Sequence, residues 1–162
     1  MRMAFLAPLA VVVAIAGAAV AQPSAVVVSV SPAFAEKAKE LGERDVQQQV
    51  SDLTRTVERV LTQRHALDGA RIELVITDLK PNRPTIQQMT DKPGLDGMRS
   101  LSIGGAAVEG TVTMASGAVE PVKFDYYTPT LADARGSTTW TDAQRAYDRL
   151  ARNLAEGRYV RR

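Results

Sequence analysis

Apolar residues recur at intervals of three and four in two segments of this chain, a period typical of amphipathic helices. The first segment starts near Asp45, and its apolar stripe consists of Val46, Val50, Leu53, Val57, Val60 and Leu61. Good helix-forming residues also precede it from Ala35 onwards, and Gly42 is the expected break between the two parts. The sequence therefore predicts a long helix that covers a core with one face.

A second helix is predicted near the end of the chain. Its apolar stripe consists of Ala143, Ala146, Tyr147, Leu150, Ala151 and Leu154. Thr141 and Gln144 have the spacing of a capping box at its start. Gly157 suits its end, because glycine readily adopts a positive φ.

Four further segments have the patterns of β-strands. Residues 26–30 are rich in valine, which predicts a short buried strand. Apolar and polar residues then alternate after an Asp-Gly turn, with Ile72, Leu74 and Ile76 on one side. Residues 101–114 and 118–127 also alternate and are separated by a Ser-Gly turn, which predicts an antiparallel hairpin.

The long helices and strands follow one another in the order β-α-β-β-β-α. Two amphipathic helices and one alternating sheet bury most apolar surface as two layers, so we expect an α+β two-layer sandwich. The sheet is expected to be mainly antiparallel, with both helices on one face and the other face partly exposed to solvent. The pattern leaves the strand order open.

The connection formed by residues 80–100 contains too many prolines and glycines for a long regular element. These residues are Pro81, Pro84, Pro93, Gly94 and Gly97. Residues 86–89 could form one helical turn. A connection of this length is uncommon in a compact domain and is often functional, so we expect it to contribute to a binding surface.

The first 21 residues have the pattern of a secretory signal peptide. Arg2 precedes an uncharged apolar run, and Ala19 and Ala21 are the small residues that signal peptidase requires. We expect cleavage after Ala21, which leaves residues 22–162 as a single α+β domain in the periplasm or outside the cell. The apolar run is long enough to span a membrane, so a retained anchor is the alternative. No stable membrane insertion is expected after cleavage.

Composition narrows the possible functions. The chain contains no cysteine, which excludes disulfides, thiolate metal sites and lipid attachment through cysteine. Without Arg2, basic residues outnumber acidic residues by one, so net charge does not favour nucleic-acid binding. Arg158, Arg161 and Arg162 form a basic tail that is typical of a solvated chain end.

Several short motifs resemble a group of small exported proteobacterial envelope proteins. The motifs are residues 76–78, residues 81–85, residues 103–106 with Gly110, and residues 139–143. Together they resemble the uncharacterised envelope domains related to the DUF3313 lipoproteins, although this chain lacks a lipobox cysteine. The resemblance implies an envelope location and no particular reaction.

The sequence contains no recognisable catalytic constellation. His65 is the only histidine and has no nucleophile turn to accompany it, so we expect it to cap the end of the first helix. No acidic pair has a recognisable ligand spacing, so neither a metal nor another cofactor is expected. The alternative function is a carboxylate-dependent hydrolase near residues 78–100, whose candidate residues are Asp78, Asp91, Asp96 and Asp125.

Asn82, Arg83 and Trp140 are the candidate partner-binding residues. Arginine and tryptophan are common interface anchors, and the neighbouring prolines would reduce the entropy lost on binding. In the structural alternative, Trp140 closes the core at a helix start and Arg83 pairs locally. We therefore expect a non-catalytic periplasmic protein that binds a protein or another envelope component through residues 80–100 and the adjoining sheet surface.

Overall fold

A computed structural model describes residues 22–160, so the leader predicted at residues 1–21 lies outside the described residues. Within this range the helices and strands are β1 (Ala25–Val30), α1 (Ala35–Leu41), α2 (Glu43–Arg64), β2 (Arg71–Lys80), α3 (Ile86–Asp91), β3 (Gly105–Thr113), β4 (Val119–Tyr127) and α4 (Thr141–Ala155). A short 3-10 helix, Pro32–Phe34, links β1 to α1. The predicted α+β class is confirmed.

The four strands form one open sheet in the order β1-β2-β3-β4. β2, β3 and β4 are antiparallel neighbours, with Ile72 opposite Val112 and Val108 opposite Phe124. β1 instead runs parallel to β2, because α1 and α2 return the chain to the same end of the sheet before β2 begins. The sheet is thus mainly antiparallel, as predicted, with one parallel pair at its edge.

The two long helices, α2 and α4, pack against each other and against one face of the sheet. The largest fully buried side chains between these layers include Leu53, Leu61, Ile72, Leu74, Ile76, Tyr147, Leu150 and Leu154. Burial of one such aliphatic side chain contributes about 1.5–3 kcal/mol to the free energy of unfolding. The opposite face of the sheet exposes charged residues such as Glu73, Glu109 and Lys123, so it faces solvent as expected.

The helix ends agree only partly with the sequence prediction. Gly42 separates α1 from α2 with a φ of 97°, a conformation that favours glycine. At α4, however, Trp140 is the N-cap residue and its side chain makes no capping bond, so the capping box predicted for Thr141 and Gln144 is wrong. The Thr141 hydroxyl instead accepts a hydrogen bond from the N–H of Thr138 at 2.9 Å.

The long connection between β2 and β3 contains the predicted helical turn, which extends into α3. A capping box does occur here: the Thr85 hydroxyl accepts from the N–H of Gln88, and the Gln88 side chain accepts from the N–H of Thr85. None of the α3 residues is buried. β3 begins at Gly105, four residues later than predicted, and this leaves residues 101–104 in the connection.

Candidate functional site

Asn82 is buried and holds three parts of the chain together. Its side-chain oxygen accepts a hydrogen bond from the N–H of Asp142 at 3.0 Å, and its side-chain nitrogen donates to the Asp142 carboxylate. Its backbone N–H donates to the carbonyl of Thr139 at 2.8 Å, and its carbonyl accepts from the N–H of Ser102 at 2.9 Å. Asn82 has an exposure of 0%. The amide of Asn82 joins both ends of the loop to α4, and its partner-binding role stays a prediction that these internal bonds do not favour.

Arg83 and Trp140 are also engaged within the protein. The Arg83 guanidinium donates to the carbonyl of Ser137 at 2.7 Å and to the carbonyl of Met98. The Trp140 side chain is packed into the core with 9% exposure, and its Nε1 donates to Asp45 at 3.0 Å. The geometry favours the structural alternative for both residues, since groups that are buried or bonded internally present little surface to a partner.

The connection instead forms one side of a cleft of about 420 Å³, which we call the loop cleft. Its apolar lining consists of Pro81, Pro84, Leu95, Leu101 and Ile103. Lys37 of α1 and Lys80 of β2 add two positive charges. The loop cleft thus combines apolar surface with two cationic groups, one on α1 and one at the end of β2.

Four large apolar side chains within residues 86–103 are exposed. Met98 is 84% exposed and Ile86 is 76% exposed, while Leu95 and Ile103 are partly exposed in the lining of the loop cleft. Apolar groups that gather on one exposed segment are typical of a contact surface for another molecule. These residues join Asn82, Arg83 and Trp140 as candidate partner-binding groups, and they are the more exposed ones.

Asp78 connects the two lysines of the loop cleft to β4. Its carboxylate accepts a hydrogen bond from the Tyr127 hydroxyl at 2.7 Å and forms an ion pair with Lys37. Burial alone would raise the pKa of Asp78, but the hydrogen bonds from Lys37 and Tyr127 and the charges of Lys37 and Lys80 outweigh burial and hold this pKa below its usual value. The Lys80 Nζ lies 4.7 Å from the centre of the Tyr127 ring. Burial and the hydrogen bond to Asp78 raise the pKa of Tyr127.

The four carboxylates of the hydrolase alternative do not form one group. Asp91 is exposed and accepts from Gln87 of the same helix at 2.9 Å. Asp96 accepts two backbone N–H bonds at 2.7 Å within its own turn, and these bonds lower the pKa of Asp96. Only Asp78 and Asp125 share a sheet face, where β3 lies between them and Asp78 already binds Lys37 and Tyr127. Of the four candidate carboxylates, only these two are therefore neighbours on one surface.

His65 occupies the C-cap position of α2 with a φ of 49°, at the helix end where it is expected. Within residues 22–160, no group of three or more His, Cys, Asp or Glu side chains is arranged to hold a metal ion. No helix in the same range is both long enough and apolar enough to cross a membrane.

Comparison of the chain with protein-family models, with curated proteins and with solved structures finds no match. The resemblance to the envelope lipoproteins therefore stays a prediction.

Proposed function

We propose that the chain is a non-catalytic periplasmic protein that binds another protein through residues 80–100, which border the loop cleft, and the adjoining sheet surface. The observation that carries this proposal is the exposed apolar surface of a connection whose two ends are fixed at the buried Asn82. Leu95 and Ile103 line the loop cleft, and Met98 and Ile86 are exposed elsewhere on the same connection. A surface that is already ordered loses less conformational entropy on binding. The leader pattern of residues 1–21 supports the envelope location.

The lining of the loop cleft indicates the chemistry of the partner. Its prolines and leucines would accept an apolar side chain, and Lys80 would pair with a carboxylate. Lys37 is already paired with Asp78, so Lys80 is the freer of the two positive charges. We therefore expect the partner to present an extended segment in which an acidic group lies next to apolar residues.

A photo-crosslinking amino acid in place of Met98 tests the proposal in the cells that produce the protein. The matched control carries the same amino acid at Val119, which is also largely exposed. Val119 starts β4 and Tyr127 ends it beside the loop cleft, so the two ends are roughly 25 Å apart. We expect a crosslinked species of higher mass from position 98 and none from position 119.

The partner that the crosslink identifies is then purified, and its affinity for variants of the chain is measured. Met98→Asp and Ile86→Asp should each weaken binding roughly tenfold or more, because each places a charge in an apolar contact. Val119→Asp should leave the affinity unchanged. The proposal fails if position 98 gives no species beyond that of position 119, or if Met98→Asp binds the partner as tightly as the unaltered chain.

A further inference from the structure

A second concave surface lies beside the C-terminal half of α4. It is a cleft of about 370 Å³ lined by Phe124, Arg149, Arg152, Asn153, Glu156 and Arg158, and we call it the arginine cleft. Three guanidinium groups share this cleft with one carboxylate. It is distinct from the loop cleft, because Asn82 binds the first turn of α4, about 15 Å along the helix axis from Arg152.

Two of the arginines are available to a ligand. The Arg149 guanidinium lies 4.0 Å from the centre of the Tyr126 ring, a stacked position that orients it, and it forms no ion pair with an acidic residue between 22 and 160. The Arg152 side chain makes no hydrogen bond or ion pair with any residue between 22 and 160. Arg149 and Arg152 are three residues apart, so they lie on the same side of α4.

The third arginine comes from the chain segment after α4. Arg158 belongs to the tail that is predicted to be solvated, but the N–H of Lys123 donates to the carbonyl of Tyr159 at 2.9 Å and aligns this segment with β4. Arg158 then pairs with Glu156 at 2.5 Å. Glu156 also accepts from Arg64 at 3.1 Å, so two guanidinium groups already balance the one carboxylate of the cleft.

We propose that the arginine cleft binds a phosphate group. The planar guanidinium fork donates two parallel hydrogen bonds to phosphate oxygens, and an excess of positive charge suits a multiply charged anion better than a single carboxylate. The helix dipole alone would favour an arginine near the C-terminal end of α4. It does not account for the stacking of Arg149 on Tyr126 or for the position of Arg158 in the lining of the cleft. The phosphate belongs to a soluble molecule or to a lipid headgroup, which offer the same chemistry to the arginines.

Two probes distinguish these sources. Inorganic phosphate is titrated against the full chain while the Nε–Hε resonances of arginine are followed by NMR. Co-sedimentation is measured with vesicles of phosphatidylcholine, with and without phosphatidylglycerol. Saturable binding to free phosphate points to a soluble ligand, and binding only to the phosphatidylglycerol vesicles points to a headgroup.

Variants show whether binding takes place in the arginine cleft. Arg149→Gln and Arg152→Gln should each weaken binding by roughly tenfold, and Arg149→Lys should restore part of it because the charge returns without the fork. Arg44→Gln is the matched control, since it removes an exposed helical arginine of α2 outside the cleft. Thermal melts by circular dichroism check that each variant is folded. Absence of binding to both probes, or an equal loss in Arg44→Gln, would overturn the proposal.

Discussion

Asn82 shows how one side chain sets the geometry of the connection that forms the loop cleft. Trp140 gives α4 no side-chain cap, and the N–H of Asp142 is satisfied by Asn82 from 60 residues earlier in the chain. Gly104 leaves room for this contact, because a Cβ at that position would lie 2.5 Å from the Asn82 side-chain oxygen. The start of the connection, its end and the start of α4 therefore depend on one buried amide.

We expect Asn82→Ala to lower the free energy of unfolding by about 3 kcal/mol, since it removes the partner of the buried N–H of Asp142 and of the Oδ2 atom of its carboxylate, whose Oδ1 atom keeps its bond to Arg145. Urea denaturation followed by circular dichroism measures the change. Gln48→Ala is the control, because it removes an exposed amide that donates to Asp52 on the same helix, and it should cost less than about 0.5 kcal/mol. Similar losses in both variants would contradict the role assigned to Asn82.

The sequence draws attention to Asn82 but does not reveal what it does. An asparagine between prolines is typical of an exposed turn, and its burial depends on Asp142, which no local pattern connects to it. The sequence does not predict that Lys37 lines the loop cleft, because the crossover from β1 to β2 is what brings Lys37 there. Exposed Met98 and Ile86 are visible in the sequence as apolar residues, but periodicity cannot tell whether such residues in an irregular segment are buried.

Asp78 links three elements that meet at one end of the sheet. The carboxylate belongs to β2, Lys37 belongs to α1, and Tyr127 ends β4. These contacts hold the three elements together, and they favour the ionised form of Asp78. The stability of this end of the sheet should therefore depend on pH.

Asp78→Asn should remove a contribution to stability that disappears in acid. The pKa of Asp78 in the folded protein lies below the ordinary value of 3.8, so near that pH the unfolded chain binds more protons and acid favours unfolding. The difference in free energy of unfolding between the unaltered chain and Asp78→Asn should be constant between about pH 5 and 8 and shrink below about pH 4. Urea denaturation at a series of pH values measures this difference.

Asp91→Asn serves as the control for Asp78→Asn, because Asp91 is exposed and bonds within α3. We expect it to leave the stability nearly unchanged at every pH. A difference for Asp78→Asn that stays the same from pH 7 to pH 3 would show that the ion pair with Lys37 does not stabilise this end of the sheet.

Periodicity predicts the long helices and the hairpin well because their apolar stripes must face one core. It fails where neighbouring backbones decide the conformation. β3 starts at Gly105, where a Cβ would lie 2.1 Å from the carbonyl oxygen of Tyr126, so only glycine permits this close approach of the two backbones. The direction of β1 cannot be predicted from the sequence either, because a run of valines fits beside a parallel or an antiparallel strand.

The molecule as a whole separates its core from the loop cleft. α2 and α4 cover one face of the sheet, and the core is contained between these layers. α3 buries none of its residues, and the fixed points of the connection lie at Asn82 and Ser102, outside its exposed middle part. The middle part should therefore be removable without loss of the fold, whereas its fixed ends should not.

This separation predicts the behaviour of a shortened chain in which a short glycine–serine linker replaces residues 86–99. Because the replaced segment contributes little to the core and a shorter loop loses less entropy on closure, the free energy of unfolding should stay within about 1 kcal/mol of its original value. Far-UV circular dichroism with urea denaturation measures stability, and binding of the partner crosslinked at position 98 measures function. We expect the shortened chain to lose binding and to keep cooperative unfolding, whereas a variant that disrupts Asn82 should lose stability.

If the shortened chain no longer unfolds cooperatively, the connection is part of the core. The exposure of Met98 and Ile86 can then no longer be assigned to binding alone.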